Sequence, residues 1–296
     1  MRMVSNVMTD IVCVVDARTE LGEGTLWDPG AGVLWWVDIW GKAIHRYDPA
    51  SGADTVFDAP EYVGSVGVRA RGGLIVALAD GFHFFDPLTG AFEKIVDPEA
   101  DKPDTRFNDG KPDRQGRFWS GTVFEDPPRP TEFIGALYRL DSDLSCHRMV
   151  EGIGSSNGLA FSPDSRILYF ADSLAARVWA WDFDPATGDI ENRRVFIDST
   201  ATGGLPDGAT VDAEGCYWTT LPESGKLARY DPDGKLMRTI MMPTAIPTCC
   251  EFGGKDLDIL YVTTARLRKI RDQPLAGGLF ALDVGVKGLP LPYFVG

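Results

Sequence analysis

Two carboxylates and two carboxamides are spaced along this chain so that they could meet. Glu23 lies in Leu21-Gly22-Glu23-Gly24, Asn108 in Arg106-Phe107-Asn108-Asp109-Gly110, Asn157 in Ser156-Asn157-Gly158-Leu159, and Asp207 in Pro206-Asp207-Gly208. Ser65 and either Thr248 or Cys249 hold the same place in their own segments, and the successive steps are 42, 43, 49, 50 and about 41 residues. A step of nearly constant length marks a repeat architecture. If the repeats bring these positions together, their oxygens suit a hard divalent cation such as Ca²⁺, Mg²⁺ or Mn²⁺, or Zn²⁺ where it accepts carboxylates. A cation would also remove the desolvation penalty of an unpaired carboxylate in a confined site. The competing reading is that these Asn and Asp side chains only satisfy loop backbone groups.

The repeat that must position them has three pieces: a polar lead-in, an Asp-x-x-Gly turn and a short aromatic strand ending in small residues. Arg106 to Thr122 shows it in full, Asn157 to Asp172 repeats its order, and Pro206 to Thr220 repeats it again. Strand ends closed by Asp or Asp-Pro, such as Arg46-Tyr47-Asp48-Pro49, Phe84-Phe85-Asp86-Pro87 and Tyr230-Asp231-Pro232, bring the number of units to six. The 33 glycines and 20 prolines interrupt runs of Val, Ile, Tyr, Trp and Phe, and helical periodicity is nearly absent. The expected fold is therefore all-β, a six-bladed β-propeller formed by residues 1–296 as one domain. In that arrangement the first strand of each blade lines a central channel, and the residues just before it ring one mouth. Residues 10–20, with Ile11-Val12-Cys13-Val14-Val15, are expected to supply the outer strand of the last blade and close the ring. The Pro-rich segment 125–132 is expected to be a surface loop able to cover a pocket.

Composition narrows the partners. The net charge is −14, with 43 acidic against 29 basic residues and no dense basic cluster, which argues against nucleic acid. The longest apolar run near the N-terminus, Ile11 to Val15, is too short for a signal peptide core, and no run approaches a membrane span. A cytosolic protein with no membrane partner, working as a monomer or small homo-oligomer, is expected. Five cysteines without C-x-x-C spacing read as reduced and mostly buried, with Cys249 and Cys250 filling core at a strand. The tryptophans, Trp35, Trp36, Trp119 and Trp218 among them, read as blade packing.

Other hydrolytic chemistries lack their residues. His45 and His83 fall at similar late positions of successive units and are expected on outer strands, and His147 on a polar strand or turn. No H-E-x-x-H pair and no G-x-S-x-G elbow is present.

At these residues the sequence resembles the regucalcin (senescence marker protein) and gluconolactonase family along nearly the whole chain. Leu-Gly-Glu-Gly-x-x-Trp, Arg-Phe-Asn-Asp-Gly-Lys-x-Asp-x-x-Gly-Arg, Ser-Asn-Gly-Leu, Pro-Asp-Gly and Phe-Gly-Gly occur in order, with Ala-Gly-Gly-Leu-Phe near the end. The resemblance implies one divalent metal in the channel, held by Glu23, Asn157 and Asp207, with Arg106 and Asn108 contacting substrate. Asp126 stands where the family has a substrate-contacting Glu, and Leu221-Pro222-Glu223-Ser224-Gly225 replaces a common Gly-Gly turn.

The activity implied is hydrolysis of a small sugar lactone, an aldonolactone of the gluconolactone kind, to its open acid. The metal would act as Lewis acid and Asp207 as general base. Two other readings use the same residues: a phosphotriesterase-like hydrolase, and a calcium-binding or protein-binding propeller without turnover.

Overall fold

Runs of three to nine residues bounded by Gly, Asp and Pro turns pair readily with their neighbours in sequence, and every blade is built that way apart from one strand supplied by the N-terminus. The structure, a computed structural model, describes residues 10–125, 132–201, 204–267 and 272–296. The described residues form 24 strands in six four-stranded antiparallel sheets, with one 3-10 turn at Ser199–Ala201. Each sheet is one blade of a six-bladed β-propeller. Five blades take their strands in sequence order, and the sixth is completed by the N-terminal strand Ile11–Val15. That strand pairs antiparallel with Leu279–Asp283, Ile11 opposite Leu282, so the ring closes at the expected residues. Among the described residues no helix is long and apolar enough to cross a membrane.

The six inner strands are Gly22–Asp28, Val63–Val68, Thr105–Pro112, Ser156–Phe161, Ala209–Val211 and Pro247–Gly253. All are buried along their whole length, and neighbouring ones touch around the axis. Outermost strands such as Ala53–Asp58 and Ile190–Asp198 are largely exposed. Large aromatic residues fill the spaces between blades. Phe82, Phe107, Phe118 and Tyr138 join the second blade to the third, and Trp119, Phe161 and Phe183 join the third to the fourth. Trp35, Trp36, Trp119 and Trp218 are buried in such seams, and Cys249 and Cys250 are buried in the last inner strand. One expectation shifts: His45 and His83 lie on third strands, not outer ones, and both are buried. His45 stacks on Trp36 and bonds Asp54, because the third strand still has a neighbouring blade against it.

The Asp-x-x-Gly turns are held by their first residue. Asp113 Oδ1 accepts the backbone N–H groups of Gln115 and Arg117, and Oδ2 accepts Arg117 Nε and the Trp119 indole N–H. Asp212 repeats this with Glu214, Cys216, Trp218 and Arg229. In the fourth blade the place is taken by Ser162, whose hydroxyl accepts the Arg166 and Ile167 N–H groups. Leu168 there has no indole to satisfy, so a carboxylate is not needed.

Replacing Asp212 with Ala leaves the Trp218 indole, the Arg229 guanidinium and two backbone donors without their acceptor. Loss of one partner from such a buried ionic network costs about 3–5 kcal/mol. Urea denaturation of Asp212→Ala is therefore expected to lose that much stability. An unchanged midpoint would show that the turn is not held this way.

Candidate functional site

The site residues reach the axis because the inner strands are irregular where they begin. Strand register slips after Glu23, after Phe107 and after Asn157. Such bulges turn side chains that ideal alternation would send to opposite faces. Gly24 and Gly158, next to Glu23 and Asn157, take φ of 59° and 58°. A Cβ on Gly158 would lie 2.4 Å from the Tyr217 hydroxyl and 2.7 Å from Ala171 Cβ, so only glycine fits that turn. Tyr217 then donates to Gly158 O at 2.7 Å and fixes the bulge.

A chain of hydrogen bonds runs around the mouth from there. Arg106 Nη1 donates to Asn108 Oδ1 at 2.6 Å, and Asn108 Nδ2 donates to Asn157 Oδ1 at 2.8 Å and to Ser156 O at 2.7 Å. Asn157 Nδ2 donates to the Ser173 hydroxyl at 2.8 Å, which donates in turn to Pro206 O beside Asp207. This leaves Asn157 Oδ1 as an acceptor with its orientation set from both sides. The Asp207 turn is anchored by its own N–H to Thr220 O and by Thr219 Oγ1 donating to Asp207 O.

Glu23 is only 5% exposed, and its carboxylate accepts one hydrogen bond, from the N–H of Gly24. Burial raises it well above the usual carboxylate range, and the nearby charges of Asp207 and Asp109 raise it further. Asp207 opens partly to the mouth, yet enough protein surrounds it that desolvation, followed by the charge of Asp109, also pushes it well up. Neither carboxylate makes a salt bridge among the described residues. Arg106 eases Glu23 only slightly, and two like-charged groups held together with no salt-bridge partner among the described residues, beside an oriented amide oxygen, form a donor set that a divalent cation would satisfy. Among the described residues no group of three or more His, Cys, Asp and Glu side chains forms a ligand cluster, so a metal here would rely on the mixed set of Glu23, Asp207 and Asn157.

Other lead-in residues do not join the cluster. Ser65 bonds sideways to Ser120 at 3.1 Å, and Thr248 bonds Gly22 O and Thr263. Cys249 lies close to Glu23, its thiol raised by burial and by that charge, and accepts from Thr25 Oγ1. Asp126 and most of the 125–132 loop lie outside the described residues. Two acidic residues not singled out from the sequence take part. Asp109 Oδ2 accepts the N–H of Leu159 from the next blade, and its carboxyl is raised by burial. Strict alternation would point it away from Asn108, and only the bulge lets both serve the mouth. Glu125 receives Arg106 Nε and, from the first blade, the indole N–H of Trp40 at 3.0 Å. The only sequence signal for it was an acidic pair, Glu125-Asp126, at the end of an aromatic strand.

The profile of the SMP-30/gluconolactonase/LRE-like region matches residues 21–266. A 6-deoxy-6-sulfogluconolactonase of Pseudomonas putida is 37% identical over 290 residues, 96% of this chain and 98% of that protein. Regucalcin of Danio rerio is 37% identical over 289 residues, 96% of this chain and 97% of its own. The crystal structure of a calcium-binding protein, regucalcin, from Agrobacterium tumefaciens superposes with a TM-score of 0.90 at 31% identity, over 95% of this chain and 96% of that one. The matched region takes in Glu23, Arg106, Asn108, Asn157 and Asp207, and with identities of this size over nearly all of both chains, the protein belongs to the SMP-30/gluconolactonase family.

Proposed function

We propose that the protein is a metal-dependent sugar lactonase, hydrolysing an aldonolactone of the gluconolactone kind to the aldonic acid. The observation that carries this reading is the meeting of Glu23 and Asp207 beside Asn157 with no salt bridge to either carboxylate among the described residues, at a mouth that also holds Arg106 and Asn108. The family and the sulfogluconolactonase relative support the substrate class. The calcium-binding regucalcin structure supports a divalent ion.

Glu23, Asn157 and Asp207 would hold the cation. When bound, it supplies a Lewis acid for the lactone carbonyl oxygen. Asp207 is the general base: it takes a proton from water as the water oxygen attacks the carbonyl carbon. Breaking the ring C–O bond then leaves an alkoxide, and the same carboxyl returns the proton to that oxygen. Arg106 and Asn108 orient sugar hydroxyls, their own geometry fixed by the bond between them. Asp126 is the further substrate contact that the family resemblance implies.

Calcium binding without turnover is the second reading, favoured by the description of the Agrobacterium relative. Metal-stripped protein given Ca²⁺, Mg²⁺, Mn²⁺ or Zn²⁺ singly and assayed on a panel of aldonolactones separates the two. Metal-restored turnover supports the lactonase, and metal binding with no turnover on any lactone or organophosphate supports the binding protein.

Loss of a general base costs ~10²–10⁴ in rate. Asp207→Ala is therefore expected to lower kcat by that factor, and wild-type turnover in a metal-loaded variant would remove Asp207 from the role. Glu23→Gln takes an unpaired buried charge out of the metal-free protein. Its melting temperature without metal is expected to rise by at least about 2 °C, while added divalent ions, which stabilise wild type by binding the native state, should no longer shift it. A metal-dependent shift equal to wild type would show that Glu23 is not a ligand.

A further inference from the structure

Glu125 is gripped from two blades. Trp40, in the connection that follows Val33–Asp38, donates its indole N–H to Oε1 at 3.0 Å, and Arg106 Nε of the third blade donates to Oε2. Arg106 spends its Nη1 on Asn108 Oδ1 and Phe107 O. The Arg106 guanidinium is thus partnered by a carboxylate before any ligand arrives, and the pair carries no net charge. Glu125 remains half-buried, not sealed, so its unused lone pairs can accept ligand hydroxyls.

We propose that Glu125, positioned by Trp40, sets the charge preference of the mouth. It neutralises Arg106, so the site takes neutral polyhydroxylated lactones and disfavours those carrying a carboxylate, phosphate or sulfonate, and on this point the chain parts from the Pseudomonas putida relative, which is named for a sulfonated lactone. The kinetic side of this inference rests on the lactonase reading above. An anionic substituent entering beside Arg106 meets the Glu125 carboxylate as well, and like charges in a confined site repel. Trp40 acts through Glu125. Its indole N–H holds the carboxylate against Arg106 from across the mouth, and without that donor Glu125 is free to swing into solvent.

The test is the ratio of kcat/KM for the 6-phosphate of D-glucono-1,5-lactone to that for the unsubstituted lactone, measured with metal content and folding checked. Glu125→Gln keeps the size of the side chain but not its charge, and is expected to raise the ratio at least tenfold through a lower KM for the phosphorylated lactone. Trp40→Phe should move it the same way by about threefold, and Glu125→Asp should leave it near wild type. Arg106→Met in the Glu125→Gln background should cancel the gain, because the gain depends on a freed guanidinium. Equilibrium binding of D-glucose and D-glucose 6-phosphate gives the same comparison with no bond to hydrolyse. Absence of lactone turnover in wild type would count against the proposed activity, while this binding ratio still decides the role of Glu125. An unchanged ratio in folded, metal-loaded Glu125→Gln overturns the proposal. If that variant does not fold, an unchanged ratio in Trp40→Phe does so.

Discussion

Repulsion among Glu23, Asp109 and Asp207 is the interaction around which the molecule is organised. Burial raises both Glu23 and Asp207, the charges of Asp207 and Asp109 raise Glu23 further and that of Asp109 raises Asp207, and neither finds a salt-bridge partner among the described residues. Asp109 is eased by its hydrogen bond from Leu159 N–H and by the charge of Lys111. A free chain would let such groups move apart. Here they cannot, because Glu23 and Asp109 sit in inner strands that are buried along their length and pressed between others, and Asp207 lies two residues before such a strand.

The scaffold supplies that rigidity in layers. Aromatic seams set the spacing of the blades, and the Asp113 and Asp212 turns tie inner strands to their indoles and guanidiniums. The bulges at Glu23 and Asn157 are fixed by glycines in the left-handed region, with Tyr217 closing one of them. Lys111 and Glu251 form a buried ion pair further along the channel, where Glu251 also accepts from Thr210. Glu23, Arg106, Asn108 and Asn157 sit on inner strands, whereas Asp207, Trp40 and Glu125 come from connections at the mouth.

Much of the site was legible because the repeat and the chemistry share positions. Asp-x-x-Gly turns and aromatic strands mark the blades, so the region where each inner strand begins could be read off; Asp207 lies just before its strand, as expected, while Glu23, Asn108 and Asn157 lie within theirs. Ser65 and Thr248 obey the same spacing but turn to hydroxyl and carbonyl partners in neighbouring strands. Spacing places a Cα, and a bulge decides where its side chain points. Asp109 shows the converse, since alternation alone would have sent it away from its neighbour Asn108. His45 and His83 lie one strand further in than expected, because a late position in a blade does not reveal whether one more strand or none follows.

The amino-acid sequence by itself determined the six-fold repeat, the all-β class, the closing N-terminal strand and the oxygen-rich ring of lead-in residues. All of these follow from local pattern: turn chemistry, strand propensity and constant spacing. Only the tertiary structure decided that Arg106 meets Glu125 and Trp40, that Asn108 orients Asn157, and that Asp109 adds its charge to the cluster. Those contacts join different blades or depend on register slips, and hydrogen-bond geometry over such separations is fixed by how blades pack, which no local pattern encodes.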